Sequence, residues 1–303
     1  MMFDWLGSFG GQVAALVAAW LWAVATVVYG RVGEHIAPLE LNLVKGLLAL
    51  VMLAITLILV GDSLAGIEPL ALGLLLLSGA IGIGLGDTAY FETIKHVGAR
   101  RTLLLGMLAP PLSALLALVL MGEVLTLSAW IGVLVTVLGV AWVVTERVPS
   151  SLKTPPDLRK GVLFGLAAAL AQASSGVLSR AALVETEVSP LWSAMLRMAA
   201  GVVILAVWMV LTRQPVGRWL GVERPRRLWG RLLFATFAGT YLAVWLQQVS
   251  LKLIPAGVAL TLLATGPLFV LPVAVLTGER ISFRAVVGVL IALVGIGLLF
   301  GLI

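Results

Sequence analysis

The chain has no cysteine and only two histidines, His35 and His96. Those shortages exclude a disulfide scaffold, a thiolate metal site, a cysteine nucleophile and a His-rich metal centre. Charge is scarce too. Of 303 residues, 20 are Lys or Arg and 14 are Asp or Glu, so 11% are charged where soluble domains carry about 25%. That is too little polar surface to cover a water-soluble fold of this size. The same composition, 61% apolar, excludes intrinsic disorder. The formal charge of +6 is not a nucleic-acid signal, because the basic residues sit in short loops between apolar runs.

What is present in abundance is long hydrophobic runs. About 20 apolar residues cross roughly 30 Å of hydrocarbon as a helix, and ten such runs can be read: Gly10–Arg31, Pro38–Val60, Pro69–Lys95, Arg101–Met121, Ser128–Thr145, Leu158–Val184, Pro190–Thr212, Leu228–Lys252, Ala256–Leu276 and Phe283–Ile303. The first reads as a span rather than a cleaved signal, since its leader Met1-Met2-Phe3-Asp4-Trp5 carries an acid and no base. Pro38, Pro69 and Pro190 suit the first turn of a helix, where a missing amide proton costs nothing. Ser128 and Ser282 suit N-caps. The expected fold is an all-α integral membrane protein with short connections and antiparallel neighbours, multi-pass in the plasma (inner) membrane.

The two halves of the chain repeat each other. Ala109-Pro110-Pro111-Leu112 followed by Gly122-Glu123 is matched by Thr265-Gly266-Pro267-Leu268 followed by Gly278-Glu279. Pro111 to Glu123 and Pro267 to Glu279 are the same interval, and Pro38 precedes Lys45 by the interval that separates Pro190 from Arg197. Five spans per half is an odd number, so the second copy enters the membrane upside down. The expected organisation is a first five-helix repeat over 1–147, a linker over 148–157 and a second five-helix repeat over 158–303. Inverted repeats place a pseudo-twofold axis in the membrane plane and the solute site at their interface, an architecture of secondary transporters.

Two five-helix repeats, each with a Pro-x6-Lys/Arg second helix and a Pro-x11-Glu fourth helix, resemble the EamA-type branch of the drug/metabolite transporter superfamily. The resemblance covers nearly the whole chain. It implies a ten-helix transporter of small metabolites, often an exporter of amino acids or related compounds, with no cofactor and no enzymatic activity. Members of the superfamily are often drawn with both termini in the cytoplasm, and the charge pattern of this chain disagrees with that.

Ionisable residues inside hydrocarbon are costly and tend to mark a pathway. Lys45, Asp87, Glu92 and Arg197 lie at such depth. Lys45 and Arg197 are each about 10 Å along the helix from its opening proline. They can bind a substrate anion, or they can snorkel or form structural ion pairs. Asp87 follows Gly82 and Gly86, a small-residue face that permits close helix contact. It can be the partner of Lys45 or the carrier of a coupled proton. Glu92 has Lys95 and His96 at helical spacing and reads as an interfacial pair. Arg197 has no acid at the matching place in its own half and is the best candidate for anion recognition. Trp22, Thr26, Gln172, Ser174 and Ser175, with Tyr241, Trp245, Gln247 and Gln248, can line a cavity or bond helices together. Of these, Trp22, Thr26, Gln172, Ser175, Tyr241, Trp245 and Gln248 join Lys45, Asp87 and Arg197 as candidate substrate-binding residues. Glu123 and Glu279 read as caps, and Trp130, Trp142, Trp219 and Trp229 as interfacial aromatics.

The leading function is a secondary transporter that moves a small organic solute, amino-acid-like or similar, by alternating access. An intramembrane enzyme acting on a lipid-linked substrate and a non-transporting membrane scaffold are the alternatives. The enzyme reading lacks a nucleophile–base pair and a metal cluster in the sequence, and the scaffold reading leaves the duplicated charges unexplained.

Alternate loops are unequal in Lys and Arg. Sixteen cations, from Arg31 through Arg284, fall on one side, and only Arg180 and Lys252 on the other. The positive-inside rule therefore puts both termini outside the cytoplasm and the Arg-rich stretch 213–231 on the anionic inner leaflet. A reporter fused to the C-terminus should be active outside the cytoplasm and silent inside it. The reverse result would overturn this orientation.

Overall fold

The computed structural model describes residues 9–64, 66–121, 126–144, 157–184, 186–213, 217, 225–254, 256–270 and 282–299. Among them every regular element is helical. In chain order these are α1 (Gly10–Val32), α2 (Pro38–Val60), α3 (Pro69–Gly79), a π-helical segment Ala80–Gly86, α4 (Asp87–Gly106), α5 (Ala109–Met121), α6 (Leu127–Val144), α7 (Leu158–Leu183), α8 (Pro190–Thr212), α9 (Pro225–Ala235), a second π-helical segment Thr236–Leu242, α10 (Ala243–Leu253), α11 (Ala256–Leu263) and α12 (Phe283–Leu299).

Helix starts follow local chemistry. Pro38, Pro69 and Pro190 open α2, α3 and α8. Ser189 accepts the Trp192 amide at 3.1 Å, and Ser282 accepts that of Ala285 at 3.0 Å. Asp157 caps α7 by accepting the Lys160 amide at 3.1 Å, a bond that holds its carboxyl below the usual range. Ser128, expected as a cap, lies inside α6 instead, and its hydroxyl bonds that of Thr126 at 2.9 Å. The Gly-Glu pairs ending in Glu123 and Glu279, Trp219, and the loop cations Arg147, Lys153, Arg218, Arg224 and Arg280 lie outside the described residues.

Six helical stretches among the described residues are long and apolar enough to cross a membrane: 10–32, 38–60, 69–106, 158–183, 190–212 and 226–253. Shorter apolar helices at 109–121, 127–144, 256–270 and 283–299 occupy the other four expected places. The protein is thus an all-α, multi-pass membrane protein of ten helices in two repeats. Its aliphatic side chains are turned outward in large number; Ile58 and Leu59 on α2 are each 80% exposed, as lipid-facing residues are.

Four spans differ from simple rods. The third does not stop at Lys95 but runs to Gly98, where φ 81° and ψ 166° turn the chain. A left-handed φ is open to glycine because it has no Cβ. The matching turn in the second half is at Ile254, with φ −131° and ψ 158°. The fourth span is broken at Met107–Leu108 and the ninth at residues 264–265. Both breaks precede prolines, Pro110-Pro111 and Pro267, which lack the amide needed for the helical ladder and crowd the preceding turn. The third and eighth spans each contain a π segment, in which the ladder slips by one residue. The π segments, the turns and the later prolines recur at the same 156-residue offset: Ala80 and Thr236, Gly98 and Ile254, Pro111 and Pro267.

Packing is reciprocal between the halves. α1 lies against the second π segment and α10, while α7 lies against α3, the first π segment and α4; α2 pairs with α8 and α6 with α12. The first span of each repeat thus meets the third span of the other, as a twofold relation requires. Five crossings per repeat make the two copies run through the membrane in opposite senses.

The closest backbone-to-backbone approach at a described glycine involves Gly79. A Cβ there would sit 2.1 Å from the Arg197 carbonyl oxygen, so the backbone of α3 rests directly on that of α8. Gly73, on the same helix, has open space around it. Gly79→Ala should lower the apparent melting temperature of the purified protein, since overpacking costs about 1–3 kcal/mol. Gly73→Ala should leave it unchanged or raise it, because alanine is the better helix former by about 1 kcal/mol. Equal effects of the two substitutions would refute this close contact.

Candidate functional site

A cavity of about 130 Å³ lies between the repeats. Its wall takes residues from α1, α2, the first π segment and α4 on one side, and from α7, α8, the second π segment, α10 and α11 on the other. The backbone irregularities inside the spans, among the described residues, touch it. Gly82, Ile83 and Gly86 come from one π segment, and Gly239 and Thr240 from the other; Gly106 and Ala109 flank one proline break, and Ala264, Gly266 and Pro267 the other. Irregular backbone at membrane depth is tolerated only where protein or a water-filled cavity satisfies it. Here Asn42 Nδ2 donates to the Ile83 carbonyl at 2.8 Å and to Thr88 Oγ1 at 2.9 Å, and Thr88 Oγ1 donates to the Gly84 carbonyl at 2.7 Å. Ser113 Oγ donates to the Pro110 carbonyl at 2.7 Å and Thr265 Oγ1 to that of Leu262 at 2.6 Å, which serves the broken ends.

Lys45, buried on α2, forms a salt bridge with Asp87 Oδ2. Its ammonium also lies 5.2 Å from the centre of the Phe91 ring, within cation–π range. The Asp87 side chain is 32% exposed, and both it and Lys45 face the cavity. The pair offsets two charges that would each be costly alone.

Arg197 is held differently. Its Nε donates to Ser78 Oγ at 2.9 Å and its Nη2 to Ser175 Oγ at 2.8 Å. The Ser78 hydroxyl donates to the Ser175 carbonyl at 2.8 Å, and the Ser175 hydroxyl to the Ser78 carbonyl at 2.9 Å. A guanidinium only donates, so both hydroxyls act toward it as acceptors. Gly82 makes room for this cluster; a Cβ there would lie 2.3 Å from Ser175 Oγ. The Nη1 nitrogen has no partner among the described residues. Arg197 is 2% exposed and lines the cavity.

An aromatic and hydroxyl wall completes the site. Thr26 Oγ1 donates to the Trp22 carbonyl at 2.7 Å and is 2.7 Å from the Tyr90 hydroxyl. The Tyr29 hydroxyl is 2.7 Å from Thr240 Oγ1, and its ring meets Phe91 edge-on at 5.1 Å. The Tyr29–Thr240 bond joins the two repeats, and the other contacts hold the rings within the first.

Of the candidates named from sequence, Lys45, Asp87, Arg197, Trp22, Thr26 and Gln172 line the cavity. Ser175 stands behind Arg197 and touches it rather than the cavity. Tyr241, Trp245 and Gln248 are elsewhere. Tyr241 bonds Thr56 Oγ1 at 2.8 Å and lies 6.0 Å from the Trp245 ring. Gln248 Oε1 accepts from Ser179 at 2.6 Å and from Ser193 at 2.9 Å in a sealed helix contact. The physical reason is phase. On α10 the cavity-facing residues are Val244 and Gln247, and a neighbour one place along is rotated by about 100°. Glu92 accepts from Lys95 at 3.3 Å and lies 3.6 Å from His96, the local pairing that its spacing suggests. Tyr29, Phe91 and Thr240 were not signalled by sequence reasoning. Tyr90 and Phe91 follow Asp87 at three and four residues, a spacing that places them on its helical face.

The EamA-like transporter family model matches residues 9–145 and 159–301. No curated relative matches the chain. Among the solved chains that match, a crystal structure at 17% identity covers 96% of this chain and 96% of its own, with a TM-score of 0.67. At that identity the likeness concerns the fold alone.

Removing one partner of a buried pair strands the other, whereas replacing both with apolar groups does not. Lys45→Met should therefore destabilise the purified protein by up to about 3–5 kcal/mol, and Lys45→Met/Asp87→Leu by less than that single change. A double variant less stable than Lys45→Met, by thermal unfolding in detergent, would show that the two groups do not depend on each other.

Proposed function

The chain belongs to the EamA-like transporter family, and on that premise we propose that this multi-pass membrane transporter of small solutes carries a small organic metabolite, amino-acid-like or of similar size, through the cavity between its repeats by alternating access. The observation that carries the reading is convergence. The π segments and proline breaks of both repeats, and three intramembrane charges, meet at one cavity. Discontinuous helices around a midplane site are the construction of alternating-access transporters, in which one repeat rocks against the other. Irregular ladders bend at lower cost than intact ones, so they suit the places where the repeats move. The direction we assign is export, which rests on the resemblance to exporters.

The site residues divide the work. Arg197 receives the anionic group of the solute. Trp22, Thr26 and Gln172 contact its body. Asp87 is the group we assign a coupled proton. Its protonation removes the counter-ion of Lys45, so the charge state of the pair, and with it the balance between the two orientations, follows the proton.

The test begins with a solute-dependent thermal-shift screen, because a ligand of the folded state raises its apparent stability. Flux of the resulting solutes is then followed in proteoliposomes. Arg197→Ala should reduce flux roughly ten- to a hundredfold, the worth of one charge-assisted hydrogen-bonded contact, with insertion and folding retained. Arg197→Lys should restore only part, since a point charge does not reproduce the planar fork. Asp87→Asn should transport without dependence on an imposed pH gradient. Wild-type flux by Arg197→Ala would make Arg197 a structural residue.

A further inference from the structure

The charges on the cavity wall do not cancel. Among the described residues that line it, those with charged side chains are Lys45, Asp87 and Arg197. Lys45 and Asp87 are bonded to each other and compensate locally. Among the described residues Arg197 bonds only the two neutral hydroxyls of Ser78 and Ser175. Its Nη1 finds no partner among the described residues, and neither does Nε2 of Gln247. Gln247 is also 2% exposed and also on the wall. The described wall residues therefore carry one net positive charge, and two of them, Arg197 and Gln247, hold a buried nitrogen donor without a partner.

A buried, unpartnered donor is expensive, and a buried, uncompensated cation more so. A ligand with a single negative charge removes both costs. A carboxylate does so with two oxygens, which suit two separate donors. A zwitterion brings its own ammonium as well. Among the described wall residues the one acid for that ammonium is Asp87, which already serves Lys45, so this wall with a zwitterion against it keeps a net charge of +1. A dianion overshoots in the other direction. The remaining wall is mostly aromatic and aliphatic, with Trp22, Phe91, Leu260 and Leu263 among it, and Thr26, Thr102, Gln172 and Thr240 add neutral polar groups. The volume of about 130 Å³ is close to the roughly 150 Å³ that holds a benzene-sized body.

We infer that the solute of this cavity is a small monocarboxylate with a compact apolar body, and that the site discriminates against the zwitterion of the same shape. This rests on the cavity being the solute site, as proposed above, and narrows the solute by charge.

The test compares three molecules of one shape: 4-methylpentanoate, leucine and 3-methylbutylamine, which at neutral pH carry charges of −1, 0 and +1. Binding to the full-length purified protein is followed by calorimetry and by the fluorescence of Trp22 and its neighbours. The expected order is 4-methylpentanoate at least tenfold tighter than leucine, with no binding of the amine. Arg197→Gln should weaken 4-methylpentanoate at least tenfold. Gln247→Glu keeps the arginine and adds a carboxylate to the wall. It should erase the preference or turn it toward leucine, and it keeps the inference testable if Arg197→Gln does not fold.

Leucine binding as tightly as 4-methylpentanoate to the unmodified protein would overturn the inference. So would the binding of none of the three, or a Gln247→Glu protein with an unchanged preference. The transport reading is judged separately, by whether Arg197→Ala changes the flux of whichever solute the proteoliposomes carry. Flux that depends on Arg197 but concerns a zwitterion would keep that reading and end this one.

Discussion

Inside a bilayer no water is available to the peptide backbone, so every N–H and C=O must find its partner within the protein. The rest of this structure depends on that constraint. It dictates helices throughout the described residues, and it limits where a helix can be interrupted. The π segments 80–86 and 236–242 and the breaks beside Pro110-Pro111 and Pro267 all border one cavity. There Asn42, Thr88, Ser113 and Thr265 add side-chain hydrogen bonds to the carbonyls of Ile83, Gly84, Pro110 and Leu262. The cavity and the irregular backbone explain each other: slipped or broken helices leave space between them, and only beside that space are such helices affordable.

The repeats duplicate the backbone more faithfully than the chemistry. Pro38 and Pro190 open matching helices that carry Lys45 and Arg197 at the same depth. Asp87, however, has Ala243 at the position 156 residues on, so the second half lacks the acid that the first half provides. Lys45 is therefore neutralised by its own repeat. Arg197 is merely cradled, by Ser78 from one half and Ser175 from the other. A symmetric frame thus holds an asymmetric site, which a solute with unlike ends requires.

Much of this was legible in the sequence. Apolar runs opened by proline mark spans because the bilayer sets their length, and α2 and α8 coincide with the runs Pro38–Val60 and Pro190–Thr212. Lys45, Asp87 and Arg197 stood out because a charge in such a run has few places to go. The π segments left no mark, since a slipped ladder uses the same residues as a regular one. That slip shifts the phase of everything after it, which is why the sequence favours Gln248 while Gln247 lines the cavity. Tyr29 and Tyr90 went unnoticed for a different reason: an aromatic ring in an apolar run fits lipid, core or cavity equally well. Ser78 was hidden in the same way, because serines in spans are commonly helix contacts.

The unequal support of the two cations also bears on how the chain is made. Synthesis runs from the N-terminus, and earlier segments settle before later ones emerge. The first repeat carries its own compensation: Lys45 meets Asp87, and Asn42 meets Ile83 and Thr88, all before residue 100. The second repeat does not, for half of the cradle of Arg197 is Ser78. The bonds of Lys45 and Asn42 can therefore close once the first repeat is made, whereas those of Arg197 wait until both repeats are present.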